Sequence, residues 1–150
     1  MQRKIGIAVA AALLAAAPLL VIDTVQAAPT AVATHTVRMI MEGNSAGRFD
    51  PAALTIRAGD VVRFVNVSGG PHNISFDPAT IPDDVERVLS AAMPNQIEPL
   101  WGGLLTTPNA VYTISFAGIK PGRYEFFCVP HMYDRTGAAT HGMKGVITVQ

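Results

Sequence analysis

Near its C-terminal end the chain reads Phe127-Cys128-Val129-Pro130-His131, followed after nine residues by His141-Gly142-Met143-Lys144-Gly145. The first of these segments ends a run of aromatic and β-branched residues that is typical of a strand, and Pro130 turns the chain directly after it. Two residues separate Cys128 from His131, so both side chains can point to one centre where the strand ends. The segment therefore predicts a reactive or metal-binding site at the rim of a β-sheet.

The rest of the chain reads as short strands separated by turns. In the segment 61–67, for example, Val62, Phe64 and Asn66 lie on one face of a predicted strand. Seven β-prone segments are found in this way, namely residues 35–42, 53–57, 61–67, 72–76, 111–116, 123–129 and 144–150. Many short strands at this spacing in a small chain predict an all-β sandwich or barrel.

Three further segments are predicted to lie outside the strands. Residues 43–47 contain glycine, asparagine and serine and read as a loop. Residues 83–89 predict a short helix, because the acidic residues of their first turn suit the helix dipole. Residues 93–109 contain three prolines and a pair of glycines and read mostly as loop.

Two distant residues extend the Cys/His pair to four candidate metal ligands. His72 follows a predicted strand and a turn, and neighbouring strands of a sandwich can bring it to the same rim as Cys128. Met143 stands at the start of the last strand. One thiolate, two imidazoles and a weakly bound thioether are the ligand set of a mononuclear blue-copper electron-transfer site. We therefore predict a single copper ion bound by His72, Cys128, His131 and Met143.

The single cysteine also fits interpretations that need no metal. Cys128 can be a buried core residue, since free cysteine is among the most buried residue types. It can also be a nucleophile activated by His131, but that chemistry needs a third group to orient the base, and none is evident nearby. His72 alone fits a surface loop, and Met143 alone fits a turn into the last strand. The coincidence of four ligand types favours the metal site.

At these residues the chain resembles the plastocyanin-type cupredoxins and is also similar to pseudoazurin. The segments that carry the resemblance are Phe49-Asp50-Pro51, residues 58–66, 71–77 and 124–131, and residues 142–149. The resemblance implies a Greek-key β-sandwich of about eight strands that binds copper through His72, Cys128, His131 and Met143. It also implies one-electron transfer between redox partner proteins without substrate chemistry, and it implies that Asn73 ties the two ligand loops together.

The segment between the second histidine and the methionine departs from the family pattern. Family members have only a few residues there, whereas eleven residues separate His131 from Met143 in this chain. His141 is therefore an alternative to His131, and Met132 is an alternative to Met143 as the axial ligand. We place His131 ahead of His141 because its spacing from the cysteine matches the family, and Met143 ahead of Met132 because its flanking glycines match.

Residues 1–27 predict a cleaved signal peptide, which leaves a cupredoxin domain over residues 28–150. Arg3 and Lys4 precede an apolar run of 18 residues, and Val25-Gln26-Ala27 supplies the small residues of a cleavage site. The run approaches the length of a membrane span, so an uncleaved anchor is the alternative. Export points to an oxidising compartment, and we predict the bacterial periplasm.

The predicted mature chain has almost no net charge. Without Arg3, Lys4 and Asp23, the 11 positive and 11 negative side chains become 9 and 10. Together with the lack of a basic patch, this balance argues against nucleic acid as a partner. No second apolar run follows the leader, so we expect a soluble protein, and we expect it to be a monomer.

Other functions are possible on the same fold. A copper-binding or delivery protein would use the same ligands without shuttling electrons. A copper enzyme with a second centre needs additional histidines, and the chain has four in all, so we predict no enzyme activity. A sandwich without any metal is the remaining possibility. Of the other candidate residues, we expect His35 to face solvent and Met39, Met41 and Met93 to serve in packing.

Overall fold

This computed structural model describes residues 31–43, 46–132 and 142–150. This part of the chain contains eight strands, one α-helix and two 3₁₀ turns. The strands are β1 (Thr34–Glu42), β2 (Ala46–Asp50), β3 (Ala53–Ile56), β4 (Val61–Asn66), β5 (Ser75–Phe76), β6 (Val111–Ser115), β7 (Gly122–Phe127) and β8 (Lys144–Val149), and the helix is α1 (Asp83–Ala92). The predicted leader at residues 1–27 and the candidate ligand His141 lie outside the described residues.

The strands form two sheets of four. One sheet has the order β2-β1-β4-β6, and the other has the order β3-β8-β7-β5. The pairs β1/β4 and β3/β8 are parallel, and the other neighbours are antiparallel. This arrangement confirms the predicted all-β sandwich of about eight strands with one short helix.

Aromatic side chains join the two sheets across the core. The ring centroid of Phe126 in β7 lies 4.6 Å from that of Phe49 in β2 and 5.3 Å from that of Phe64 in β4, in edge-to-face arrangements. Such aromatic pairs stabilise the fold by more than the burial of their apolar surface alone. Val62 and Asn66 are buried on the same face of β4 as Phe64, as the alternation predicted. The core therefore anchors β7, the strand that leads to Cys128.

Helix α1 confirms the short helix that the sequence predicted, and it packs against the core. Val85 and Leu89 form its buried stripe, and its first turn carries acidic residues that suit the positive end of the helix dipole. Asp84 in this turn forms an ion pair with Lys120. The helix continues to Ala92, beyond the predicted end at residue 89.

The strand predicted over residues 72–76 is confined to β5, Ser75–Phe76, and two further predictions of local structure were wrong. Ala46 and Gly47 belong to strand β2, not to a loop, because pairing with β1 imposes an extended backbone on a segment of low β propensity. Strand β7 ends at Phe127, and Val129–His131 forms a 3₁₀ turn instead of continuing the strand. Pro130 explains the second difference, because it has no N–H for the sheet and its fixed φ suits a turn.

Within residues 31–43, 46–132 and 142–150, no helix combines the length and the apolar character needed to cross a membrane.

Candidate metal centre

Cys128 and His131 are placed by the turn that follows β7. The His131 N–H donates to the Cys128 carbonyl oxygen at 3.0 Å, and the Met132 N–H donates to the Val129 carbonyl oxygen at 3.2 Å. These bonds close a tight 3₁₀ turn in which residues three apart stack above one another. The Cys128 and His131 side chains therefore project to the same side, as their spacing predicted.

His72 lies at the same rim, in the segment between β4 and β5. Its N–H donates to the Leu105 carbonyl oxygen at 3.1 Å, and the Leu105 N–H donates to the His72 carbonyl oxygen at 2.7 Å. This pair of bonds holds His72 before the short strand β5. Gly69 precedes it with a φ of 73°, a conformation that glycine adopts without strain.

The structure brings His72, Cys128 and His131 together. Cys128 Sγ lies 3.2 Å from His131 Nδ1 and 3.7 Å from His72 Nδ1. All three potential ligand atoms lie within 4.8 Å of one another. Three donor atoms at these separations can converge on one cation, which is the arrangement that the sequence predicted for these residues.

The hydrogen bonds of His72 leave the correct ring nitrogen available. Its Nε2 lies 3.0 Å from the Ser68 carbonyl oxygen. A carbonyl oxygen only accepts, so Nε2 carries the proton of the neutral ring, and Nδ1 keeps its lone pair. Such a bond on the far nitrogen orients a metal-binding imidazole and fixes its tautomer.

Asn73 ties the two ligand segments together. Its side-chain Oδ1 accepts from the Val129 N–H at 2.8 Å, and its own backbone N–H points to Cys128 Sγ at 3.4 Å. Its Nδ2 donates to Ser75 Oγ at 3.1 Å and to the Gly102 carbonyl oxygen at 3.2 Å. Asn73 thus joins the two segments, as the family resemblance implied, and also supplies a hydrogen bond toward the sulfur.

Met143 lies beside the cluster in the fold. Its N–H donates to the His131 carbonyl oxygen at 3.2 Å, and its carbonyl oxygen accepts from the Cys128 N–H at 3.0 Å. Its side chain is buried. A Cβ added at Gly47 would lie 3.0 Å from Met143 Sδ and 3.5 Å from a ring carbon of His131. The Met143 thioether and the His131 ring therefore both border the position that a Gly47 side chain would take.

The two alternative ligands are Met132 and His141, and the structure describes only the first. Met132 Sδ lies beside Gly142, where an added Cβ would come within 3.0 Å of it. The structure thus places the sulfur of Met132 against Gly142, whereas the sulfur of Met143 borders the position of a Gly47 Cβ, as the His131 ring also does. His141 belongs to residues 133–141, which the structure does not describe.

Burial sets the charge state of the three clustered side chains. It raises the pKa of the Cys128 thiol to about 11, and it lowers the pKa of both His72 and His131. At neutral pH the two imidazoles are therefore uncharged and keep their lone pairs. A bound cation would displace the thiol proton, because the thiolate is the form that binds metal.

The four candidate ligands differ in their exposure to solvent. His72, Cys128 and Met143 are almost fully buried, whereas His131 is partly exposed. The ring of His131 lies 4.7 Å from that of His72, centroid to centroid. The site therefore reaches the surface of the protein through His131.

The donor set fits copper. A soft thiolate together with two imidazole nitrogens and a neighbouring thioether is the combination that blue-copper sites use. A structural zinc site would bring four strong ligands into the group. Among the described residues, only three histidine, cysteine or carboxylate side chains form a cluster of this kind.

The sequence analysis missed several residues around the cluster. Met41 and Gly47 pair across β1 and β2, and the Met41 and Met143 sulfurs both border the position that a Gly47 Cβ would take. Ser68 orients His72. Met41 was interpreted as a packing residue, and Gly47 was assigned to a loop. The resemblance begins at Phe49 and so gave no signal for either. Ser68 acts through its backbone carbonyl, which no side-chain pattern reveals.

The sequence is similar to known copper proteins over most of its length. The family model for "Copper binding proteins, plastocyanin/azurin family" matches residues 35–150. A chloroplastic plastocyanin from Physcomitrium patens is 38% identical over 114 residues, which are 76% of this chain and 56% of the relative, so the chain spans little more than half of that relative. A plastocyanin from Synechococcus is 35% identical over 123 residues, with 81% of this chain and 76% of the relative covered.

Solved structures show the same likeness. The oxidised plastocyanin of Dryopteris crassirhizoma superposes with a TM-score of 0.57 at 31% identity, covering 77% of this chain and 99% of that one. A pseudoazurin from Sinorhizobium superposes with a TM-score of 0.50 at 23% identity, covering 79% of this chain and 75% of that one. The second likeness concerns the fold alone.

Proposed function

Because the chain belongs to the plastocyanin/azurin family of copper-binding proteins, we propose that it is a blue copper protein that carries single electrons between redox partner proteins. The observation that carries this proposal is the convergence of His72 Nδ1, Cys128 Sγ and His131 Nδ1 within 4.8 Å.

The copper ligands in this proposal are His72, Cys128, His131 and Met143. The two imidazoles and the thiolate would hold the copper strongly, and Met143 would add a weakly bound thioether. When bound, copper supplies a couple between two oxidation states that differ by one electron. The backbone hydrogen bonds of Met143 to Cys128 and His131, together with the burial of its side chain, support this assignment.

The residues around the centre suit rapid electron transfer because they hold its geometry. Ser68 orients His72, Asn73 joins the two ligand segments, and Met143 is bonded to both Cys128 and His131 through its backbone. Ligands on such a support change position little when the charge of the site changes, so little energy is spent on reorganisation. The partly exposed ring of His131 is the route by which the electron enters and leaves.

We propose an electron carrier and not an enzyme. The relatives that the chain resembles are plastocyanins, and the resemblance to this family implies electron transfer without substrate chemistry. The partners are redox proteins, one donor and one acceptor, that contact the surface around His131. The near-zero net charge supports protein partners over nucleic acid. We propose a monomer.

The protein acts outside the cytoplasm, and we propose the bacterial periplasm. The N-terminal charge, the apolar run and the small residues before Ala28 support a leader at residues 1–27 that export removes. The domain that remains is residues 28–150. Mass spectrometry of the protein recovered from the periplasm tests the cleavage, since a mature N-terminus at Ala28 is expected and an intact Met1 would favour the membrane anchor.

Copper titration of the mature domain tests the function. We expect Cu(II) to bind with a stoichiometry of one, to produce an intense visible thiolate-to-copper band, and to give a narrow copper hyperfine splitting in electron paramagnetic resonance. The Cys128→Ala variant must lose the band. If that variant kept it, or if the wild-type protein never developed it, the proposed centre would be wrong.

A delivery protein of the same fold is the second candidate, because the same ligands could sequester copper. Cyclic voltammetry distinguishes the two. A fast and reversible couple supports the electron carrier, and a slow or irreversible one favours copper delivery.

A further inference from the structure

Gly47 lies where a side chain would collide with the candidate centre. It belongs to β2 and pairs with Met41 of β1. A Cβ at Gly47 would lie 3.0 Å from Met143 Sδ, 3.1 Å from Met41 Sδ and 3.5 Å from a ring carbon of His131. The first two distances are tighter than ordinary van der Waals contact. The missing side chain therefore leaves room for two thioethers and one imidazole.

The backbone of Met41 is held by hydrogen bonds to Ser68, in the turn that leads to His72. Its N–H donates to Ser68 Oγ at 3.1 Å and reaches the Ser68 carbonyl oxygen at 3.3 Å. The side chain of Met41 lies over the turn after β4, where a Cβ added at Gly69 would come within 2.1 Å of Met41 Cγ. The same Ser68 carbonyl oxygen accepts from His72 Nε2 at 3.0 Å. Met41 thus lies between the turn that leads to His72 and the position of the missing Gly47 Cβ, which the Met143 thioether also borders.

Met143 has little freedom to yield. Its backbone is hydrogen-bonded to both Cys128 and His131. An atom added next to its sulfur therefore moves the side chain, and with it the sulfur, while the backbone stays in place. The Met41 and Met143 sulfurs both border the position of the missing Gly47 Cβ, at 3.1 and 3.0 Å from it.

We propose that Gly47 and Met41 are positioning residues for the copper centre, and that together they set where the Met143 thioether lies relative to Cys128 and His131. The inference rests on the proposed axial role of Met143. The axial thioether tunes the reduction potential of blue-copper sites, so a methionine at position 41 opposite a glycine at position 47 is a determinant of that potential.

The Gly47→Ala variant tests the proposal. The added Cβ must displace Met143 Sδ or Met41 Sδ, so we expect one copper ion still to bind with a shifted reduction potential and an altered ratio of the thiolate absorption bands. The double variant Gly47→Ala/Met41→Ala should recover part of both shifts, because the space left by Met41 takes up the strain. If the Gly47→Ala spectrum and potential match the wild type, the proposal is overturned.

Gly122→Ala is the matched control. Gly122 is also a strand glycine, and a Cβ there would lie 2.8 Å from Tyr124 Oη, at the end of β7 away from Cys128. We expect this variant to lose stability and to keep the wild-type spectrum and potential. If it shifts them as much as Gly47→Ala does, general crowding explains the effect, and the proposal is wrong.

A measurement on the copper-free wild-type protein keeps the test independent of folding of the variants and of the copper function. Nuclear Overhauser contacts are expected between the Met41 and Met143 methyl groups and between either methyl and the His131 ring. Their absence would overturn the packing on which the proposal rests. Failure of the wild type to develop the thiolate-to-copper band would instead overturn the proposed function and leave this packing intact.

Discussion

The N–H of Met143 donates to the carbonyl oxygen of His131 at 3.2 Å although eleven residues lie between them. A second bond, from the Cys128 N–H to the Met143 carbonyl oxygen at 3.0 Å, continues the pairing of β7 with β8. The pairing brings Met143 back to the cluster, so the length of the intervening segment does not determine where its thioether lies.

The first prediction separates the two candidate axial methionines. Met143→Leu conserves volume in a buried place, so the copper-free protein should lose less than about 1.5 kcal/mol of unfolding free energy. Its copper form should show a changed visible spectrum and a changed reduction potential, because the thioether is gone. Met132→Leu is the matched control and should leave both unchanged. The opposite pattern, measured by spectroscopy and voltammetry, would assign the axial place to Met132.

The second prediction concerns Asn73. Asn73→Ala removes the acceptor of the Val129 N–H and the donors to Ser75 and Gly102. Loss of such buried bonds costs about 1–3 kcal/mol, and loss of a group that orients metal ligands lowers metal affinity by roughly 10–100-fold. Urea unfolding of the copper-free protein and competition titration with Cu(II) measure the two effects.

Gln96→Ala is the control for Asn73→Ala. The Gln96 side chain also ties loop segments together, donating to the Ser90 and Met93 carbonyl oxygens and accepting from the Leu100 N–H. We expect a comparable loss of stability with unchanged copper affinity. An equal loss of copper affinity in both variants would mean that Asn73 acts only through general stability.

The third prediction concerns Asp60, which is buried at the start of β4. Its carboxylate accepts from the Arg57 N–H at 3.0 Å, lies 2.9 Å from His35 Nε2 and accepts from the Ala33 N–H at 2.9 Å. These bonds lower the pKa of Asp60 to about 2, from 3.8. His35 is therefore half-buried against a carboxylate, and the expectation that it faces solvent was wrong.

A carboxylate whose pKa is lower in the folded state stabilises the fold above its unfolded pKa, and that contribution is lost as the pH falls toward the folded pKa. Asp60→Asn should therefore be less stable than the wild type at neutral pH, with the difference narrowing between about pH 4 and pH 2, the unfolded and folded pKa values. Urea unfolding of both copper-free proteins across this range measures it. A difference independent of pH would show that the charge of Asp60 contributes nothing.

The fourth prediction concerns Phe126, whose ring contacts Phe49 and Phe64 across the core. Phe126→Ala should lower the unfolding free energy by about 3–5 kcal/mol, because it leaves a large cavity between the sheets. Phe126→Leu retains most of the volume and should cost clearly less. Denaturant unfolding compares them, and equal losses in the two variants would contradict a role in packing.

Much of the fold follows from local patterns. The alternation of Val62, Phe64 and Asn66 predicted the buried face of β4, and the acidic first turn predicted α1. Strand β2 did not follow, because its residues have weak β propensity and become extended only through pairing with β1. The turn at Val129–His131 reflects Pro130, which ends β7 earlier than the β-prone run from residue 123 to 129 predicted.

The sequence by itself determined the chemistry of the candidate site, because the thiolate, the imidazoles and the thioether are properties of residue types and the spacing of Cys128 and His131 is local. Only the tertiary structure decided which distant groups surround them. Backbone hydrogen bonds to Leu105 hold His72 near Cys128. The pairing of β7 with β8 places Met143 beside Cys128, and the pairing of β1 with β2 places Met41 opposite Gly47. The physical reason is that these contacts join residues far apart in the chain, and backbone pairing and core packing, not residue type, bring them within reach.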